Sequence, residues 1–142
     1  ISRNIRLNVN YKDLEGNTIK TDSLLQGTIF YAEISVTNIS SIQNINSLAL
    51  TQIIPSGWEI MNERVGFATN ISSSDYTYQD IRDDRVLTYF DLSGTETKTF
   101  RIRLSASYAG RFYLPMIYGE AMYNNSVYAS TKGKWVTVYE NK

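Results

Sequence analysis

The residues best equipped for chemistry stand together at one place: Asp80, Arg82, Asp83, Asp84 and Arg85, at the mouth of the alternating run Val86 to Asp91. Charged side chains crowded at a strand end have no packing role, so a site or a partner is sought there first. Arg forks match carboxylates or backbone carbonyls of a neighbouring surface, which would make the cluster a polar anchor for another domain. The same aspartates accept hydrogen bonds from nearby N–H groups, which would instead pin the loop to its own sheet. Carboxylate oxygens also suit calcium, although EF-hand spacing is missing. A glycosidase pair does not fit, because Asp83 and Asp84 are adjacent and adjacent side chains on a strand face opposite ways.

Other chemistries are removed by composition. The chain has no His, and with it go the commonest general base near neutral pH, the commonest metal ligand and the Ser-His and Cys-His nucleophile pairs. It has no Cys either, which excludes a disulfide framework and a thiolate zinc site. No nucleophile-elbow motif is present. The expectation is a chain without protease, glycosidase or esterase activity and without a cofactor. Fourteen Lys and Arg balance fourteen Asp and Glu, and the basic residues are scattered, so nucleic acid is not an expected partner. No apolar run is long enough to span a bilayer, and direct membrane insertion is not expected.

Met122-Tyr123 is the second candidate. Met adapts to irregular surfaces and Tyr joins an apolar ring to a polar tip; on a strand, alternation would send one inward and the other outward. Eleven tyrosines, among them Tyr76, Tyr78, Tyr108, Tyr113, Tyr118, Tyr123 and Tyr128, suit either a ligand-binding face or half-exposed strands. Asn38, Asn70 and Asn124 begin N-glycosylation patterns, a short motif that arises often by chance in an Asn-rich chain.

The elements that must hold these residues read as strands. Ile5, Leu7, Val9 and Tyr11 alternate with polar residues, and Phe30, Ala32, Ile34 and Val36 do the same in the next run. A nearly continuous apolar stretch from Leu48 to Ile54 stops at Pro55-Ser56-Gly57, where proline removes a ladder donor. Residues 62–80 read as a long polar loop. Phe100, Ile102, Leu104 and Ala106 form the cleanest alternation, Pro115 interrupts the run after Leu114, and a last run spans 134–139. No window carries a helical period. With 142 residues and 42% hydrophobic, the chain is expected to be one all-β domain over 1–142. About seven to nine short strands in two packed antiparallel sheets make a β-sandwich of immunoglobulin or fibronectin type. Ile34, Val36, Leu50, Phe100, Ile102 and Leu104 are its expected core. The strand pattern begins at once, without an initiating Met or a signal-like segment, so the chain is expected to be a domain excised from a larger protein.

The order of pieces carries more than their periodicity. Leu48 through Pro55-Ser56-Gly57-Trp58-Glu59-Ile60, then Asp80 to Val86, Tyr89-Phe90-Asp91-Leu92, Phe100 to Leu104, Gly110 to Pro115 and Glu120-Ala121-Met122-Tyr123 together resemble the C-terminal domain of bacterial α2-macroglobulins. The resemblance runs from about Leu7 to Val138. It implies a macroglobulin-like, receptor-binding-domain-like sandwich at the C-terminal end of a broad-range endopeptidase inhibitor. In that family a bait segment is cut, and in many members an internal Cys–Gln thioester captures the attacking protease. The partners implied are the thioester domain and neighbouring macroglobulin-like domains of the same polypeptide, with target proteases reached through the full-length parent. Asp80, Arg82, Asp83, Asp84, Arg85, Met122 and Tyr123 would mark the side facing the thioester domain, with Met122 and Tyr123 capping the thioester. Having no Cys, this chain cannot carry the thioester itself. The resemblance implies an exported parent in the periplasm, cell envelope or extracellular space, and leaves lipid anchoring open. A stand-alone surface adhesion or carbohydrate-binding sandwich is the alternative.

Overall fold

The computed structural model describes residues 2–40, 43–61 and 78–141. They form thirteen strands: β1 (Ser2–Arg3), β2 (Ile5–Lys12), β3 (Ser23–Leu25), β4 (Ile29–Asn38), β5 (Ile45–Ile53), β6 (Trp58–Ile60), β7 (Tyr78–Ile81), β8 (Arg85–Leu92), β9 (Thr97–Ala106), β10 (Gly110–Leu114), β11 (Tyr118–Ala121), β12 (Asn124–Ser130) and β13 (Lys134–Tyr139). Among the described residues no helix is long and apolar enough to cross a membrane.

Alternation decides which face each strand buries. On β4 the side chains of Phe30, Ala32, Ile34 and Val36 are buried, while Tyr31, Glu33, Ser35 and Thr37 are only partly covered. The strand lies between β2 and β9, with Ile34 opposite Phe100, Ala32 opposite Ile102 and Phe30 opposite Leu104. These residues make the inner face of a four-stranded sheet, β2-β4-β9-β6. Its polar outer face is tied by Glu33, which pairs with Lys12 at 3.0 Å and Arg101 at 3.4 Å.

Two sheets cover that inner face. Ile34, Val36 and Phe100 pack with Leu48, Leu50, Phe90, Leu92 and Val127 of a six-stranded sheet ordered β1-β12-β11-β5-β8-β7, and with Ile117 just before β11. Phe30, Ala32, Ile102 and Leu104 pack with Leu24, Leu114, Val136 and Val138 of a three-stranded sheet ordered β10-β13-β3. The chain is therefore an all-β sandwich whose second layer is split in two. The β13–β3 pair is parallel, unlike the other pairings between named strands. All six residues expected in the core are buried. The expected loop at 62–80 ends in strand β7, and residues 62–77 of it lie outside the described residues.

Tyr11 closes one end of the second cluster, edge-on to Phe30 at 6.2 Å and to Trp58 at 5.9 Å. Burial pushes its phenol up to about 12. An unfolded tyrosine ionises near ~10, so between these values the folded chain keeps a proton that the unfolded chain has released. The stability linked to Tyr11 is thus fully present below pH 10 and lost as pH rises through the folded value. Tyr11→Phe is expected to remove about 2 kcal/mol of the alkaline loss of stability, which urea denaturation at pH 8 and near pH 12 would measure. Equal alkaline losses in the two proteins would contradict it.

Candidate functional site

Strands β11 and β12 form a hairpin whose ladder runs Gly119 to Ala129 and Glu120 to Tyr128, then shifts register so that Ala121 faces Asn124. Met122 and Tyr123 are left as the turn. The return strand is shaped by an Asx turn in which Asn124 Oδ1 accepts from the Ser126 amide at 3.0 Å and its hydroxyl at 2.7 Å. Because both residues sit in the turn, where the two-residue period no longer applies, neither goes inward. Met122 is 48% exposed and Tyr123 86%, which corrects the expectation of one buried and one exposed side chain.

The base of the tip is bonded to the sheet beside it. The Met122 amide donates to the Ser47 carbonyl at 3.0 Å. Ser47 holds a positive φ of 60°, and its amide donates to Asp91 Oδ1 at 2.8 Å. Behind them the buried Asn38 side chain donates to the carbonyls of Gln43 at 2.7 Å and Ser93 at 3.0 Å, joining the end of β4 to the start of β5 and the turn after β8. Ser47, Asp91 and Asn38 were not legible as parts of a site, since a positive φ at a serine and a bond across 44 residues leave no local sequence signal. What this arrangement offers is contact: an apolar, two-residue projection on a rigid seat.

The charged cluster lies elsewhere. Arg85 pairs with Ile53 at the far end of β5, and the Ile54 amide donates to the Asp84 carbonyl at 2.8 Å, whereas Met122 sits at Ser47. Six residues of strand separate these points, about 20 Å at ~3.3 Å per residue. Asp80, Arg82, Asp83, Asp84 and Arg85 therefore stand at the opposite end of β5 from Met122 and Tyr123. The cluster also bonds to itself. Arg82 Nε donates to Asp80 Oδ2 at 3.0 Å, Arg85 grips Asp84 through two bonds of 3.2 Å, and the Arg82 amide closes the β7–β8 turn on the Arg85 carbonyl at 2.9 Å. The Arg85 hydrogen bond holds the Asp84 carboxyl below its ordinary range, and the same contact raises Arg85. Among the described residues no three carboxylates gather as a metal site would require.

The tyrosines divide between surfaces. Tyr78, Tyr89, Tyr118 and Tyr128 lie on the outer face of the six-stranded sheet, Tyr113 lies on the three-stranded sheet and Tyr123 at the hairpin tip, while Tyr76 lies outside the described residues. Of the sequon asparagines, Asn38 is buried with its amide bonded, Asn124 is bonded in its turn, and Asn70 lies outside the described residues.

Comparison with known proteins follows this geometry closely. The model of the bacterial alpha-2-macroglobulin MG10 domain family matches residues 5–125. An alpha-2-macroglobulin homolog of Yersinia pestis is 29% identical over 94% of this chain, which covers 8% of that protein. Native alpha-2-macroglobulin from Escherichia coli, in a crystal structure spanning domain MG7 to the C-terminus, superposes with a TM-score of 0.83 at 16% identity, over 97% of this chain and 24% of that one. Salmonella alpha-2-macroglobulin reacted with methylamine gives a TM-score of 0.81 at 17% identity, over 97% and 9% of the two chains. The chain thus spans less than a tenth of the length of the curated relatives it matches.

Proposed function

Because the chain belongs to the bacterial alpha-2-macroglobulin MG10 domain family, we propose that it is a non-catalytic domain of a broad-range endopeptidase inhibitor that packs against, and shields, the thioester domain of its parent. The observation that carries this reading is the hairpin tip, where two large side chains project from a base fixed by Ser47, Asp91 and Asn38. Two exposed apolar side chains on a rigid turn are unfavourable in water and favourable against a partner, where a buried Met or aromatic side chain stabilises by about 1.5–3 kcal/mol. The tip meets the thioester domain and keeps water and amines from the reactive bond. Neighbouring macroglobulin-like domains complete the contact, target proteases are met only through the full-length parent, and the parent is exported to the periplasm or cell envelope.

The charged loop takes a smaller part. Its arginines are occupied by Asp80 and Asp84, so we assign Asp80, Arg82, Asp83, Asp84 and Arg85 to holding the β7–β8 turn, leaving any interdomain contact they make at the opposite end of β5.

Peroxide footprinting tests the reading. Oxidation of Met follows its exposure, so Met122 in the native full-length parent is expected to react at least ~5-fold more slowly than in the guanidinium-unfolded parent, as read by peptide mapping. Equal rates would show that the tip faces solvent and would end the shielding role.

A further inference from the structure

Two separate runs of the sequence, Tyr89-Phe90-Asp91-Leu92 and Glu120-Ala121-Met122-Tyr123, meet beneath the hairpin tip through an irregularity of β5. Ile45 pairs with Leu92 and Leu48 with Phe90, so Asn46 and Ser47 stand against the single residue Asp91. This is a bulge of two residues against one, in which the extra residue leaves the ladder. Its amide then needs another acceptor. Asp91 supplies one from its side chain, Oδ1 accepting from the Ser47 amide at 2.8 Å. On the other side of β5 the ladder with β11 ends at the pair Ala121 and Leu48. The Ser47 carbonyl takes over there, accepting from the Met122 amide at 3.0 Å. The hold of β5 on the hairpin is thereby carried one residue past the ladder, to the first residue of the tip.

Ser47 can make both bonds because its φ is 60°, in the left-handed region. A serine is uncommon there and persists where its surroundings hold it. The Asp91 bond lies at the surface, yet it is pre-formed: ladder pairs on either side keep Asp91 and Ser47 facing each other. The turn beyond β8 is tied as well, with the Gly94 amide donating to Asn44 Oδ1 at 3.2 Å. Asp91 itself is exposed and belongs to neither core cluster, so packing gives no reason for a carboxylate at this place.

We propose that Asp91 is the positioning residue of the hairpin tip: through the Ser47 bulge it sets the orientation in which Met122 and Tyr123 are presented to the thioester domain, a role that rests on the shielding reading given above. Without the acceptor, Ser47 relaxes toward the extended conformation of its neighbours. Its carbonyl then rotates away from Met122, and the tip loses its tie to β5 while the core is untouched.

The test uses a full-length parent that carries a thioester and reads two quantities, hydrogen exchange at the Met122 amide and the half-life toward methylamine. Asp91→Ala is expected to speed the exchange and shorten the half-life by at least ~5-fold each, since both follow the population of the released tip. Asp91→Asn keeps an oxygen that accepts from the Ser47 amide and is expected to stay within about twofold of wild type in both. Added to the Met122→Ala, Tyr123→Ala variant, Asp91→Ala is expected to change the half-life by less than about twofold, because the tip it positions is already gone. A wild-type half-life for Asp91→Ala beside a short one for the tip variant would overturn the positioning role and leave the shielding standing. Equal effects of Ala and Asn, or a full effect of Asp91→Ala without the tip, would overturn it too. A tip variant with the wild-type half-life would end the shielding reading instead, and the hold of Asp91 on the tip then stands or falls on the Met122 exchange. The same seat is reached without touching Asp91: Ser47→Gly, free to adopt positive φ, is expected to match wild type, and the β-branched Ser47→Val to follow Asp91→Ala. Wild-type exchange and half-life in Ser47→Val would count equally against the proposal.

Discussion

Phe30→Ala is expected to lower the stability of the chain by about 3–5 kcal/mol, the range for removing a buried aromatic ring. Phe30 is fully buried on the central strand β4, opposite Leu104 in the ladder, and its ring meets Trp58 edge-on at a centroid distance of 5.0 Å. The cluster it fills joins three strands of the four-stranded sheet to all three strands of the small sheet through Ala106, Leu24, Leu114 and Val136. Collapse around the vacated space is restricted, because Trp58 is held on β6 by its ladder with β9 and Tyr11 by its ladder with β4. The upper half of the range is therefore expected. The measurement is the urea midpoint at constant slope. A loss below about 1 kcal/mol would mean that Trp58 swings into the cavity, and that the aromatic cluster is less rigid than its geometry implies.

The same strands show what a sequence discloses and what it hides. Phe30 to Val36 and Phe100 to Ala106 were legible because one face of each strand is buried and the period of two is written directly into the residue types. Strand β12 was not, because it opens with Asn124, Asn125 and Ser126, residues that read as a turn and do form one before the ladder begins. Short strands such as β1, β3 and β6 hold two or three residues each, too few to show a period. The split of the second layer into two sheets depends on which strands pair across the chain, and the parallel pairing of Leu24 with Val138 has no local signature. At the candidate site, the residue types at Met122 and Tyr123 pointed to a contact surface, but alternation misplaced one of them because it does not extend into a turn. The separation of the Asp80–Arg85 cluster from that tip was hidden for the same kind of reason: both flank β5, and only the register tells that they flank opposite ends.

The second large effect concerns the parent protein. If amines reach the thioester only when the tip is lifted, the reaction rate follows the population of the lifted state, and each ~1.4 kcal/mol of lost contact raises that population about tenfold. Truncating Met122 and Tyr123 to Ala removes most of the apolar surface the tip presents, worth about 1.5–3 kcal/mol for each side chain when fully buried. Other interdomain contacts remain, and a rise of at least ~10-fold is the conservative expectation. The domain itself should be little affected, because neither side chain takes part in its core and the tethering bond from residue 122 to Ser47 is made by the backbone.

The most direct measurement is the half-life of the thioester toward methylamine in a full-length parent that carries one, for wild type and for the Met122→Ala, Tyr123→Ala double variant. Shielding by this domain predicts a half-life shortened by about tenfold or more, with domain stability changed by less than about 2 kcal/mol. Equal half-lives in the two proteins would contradict it.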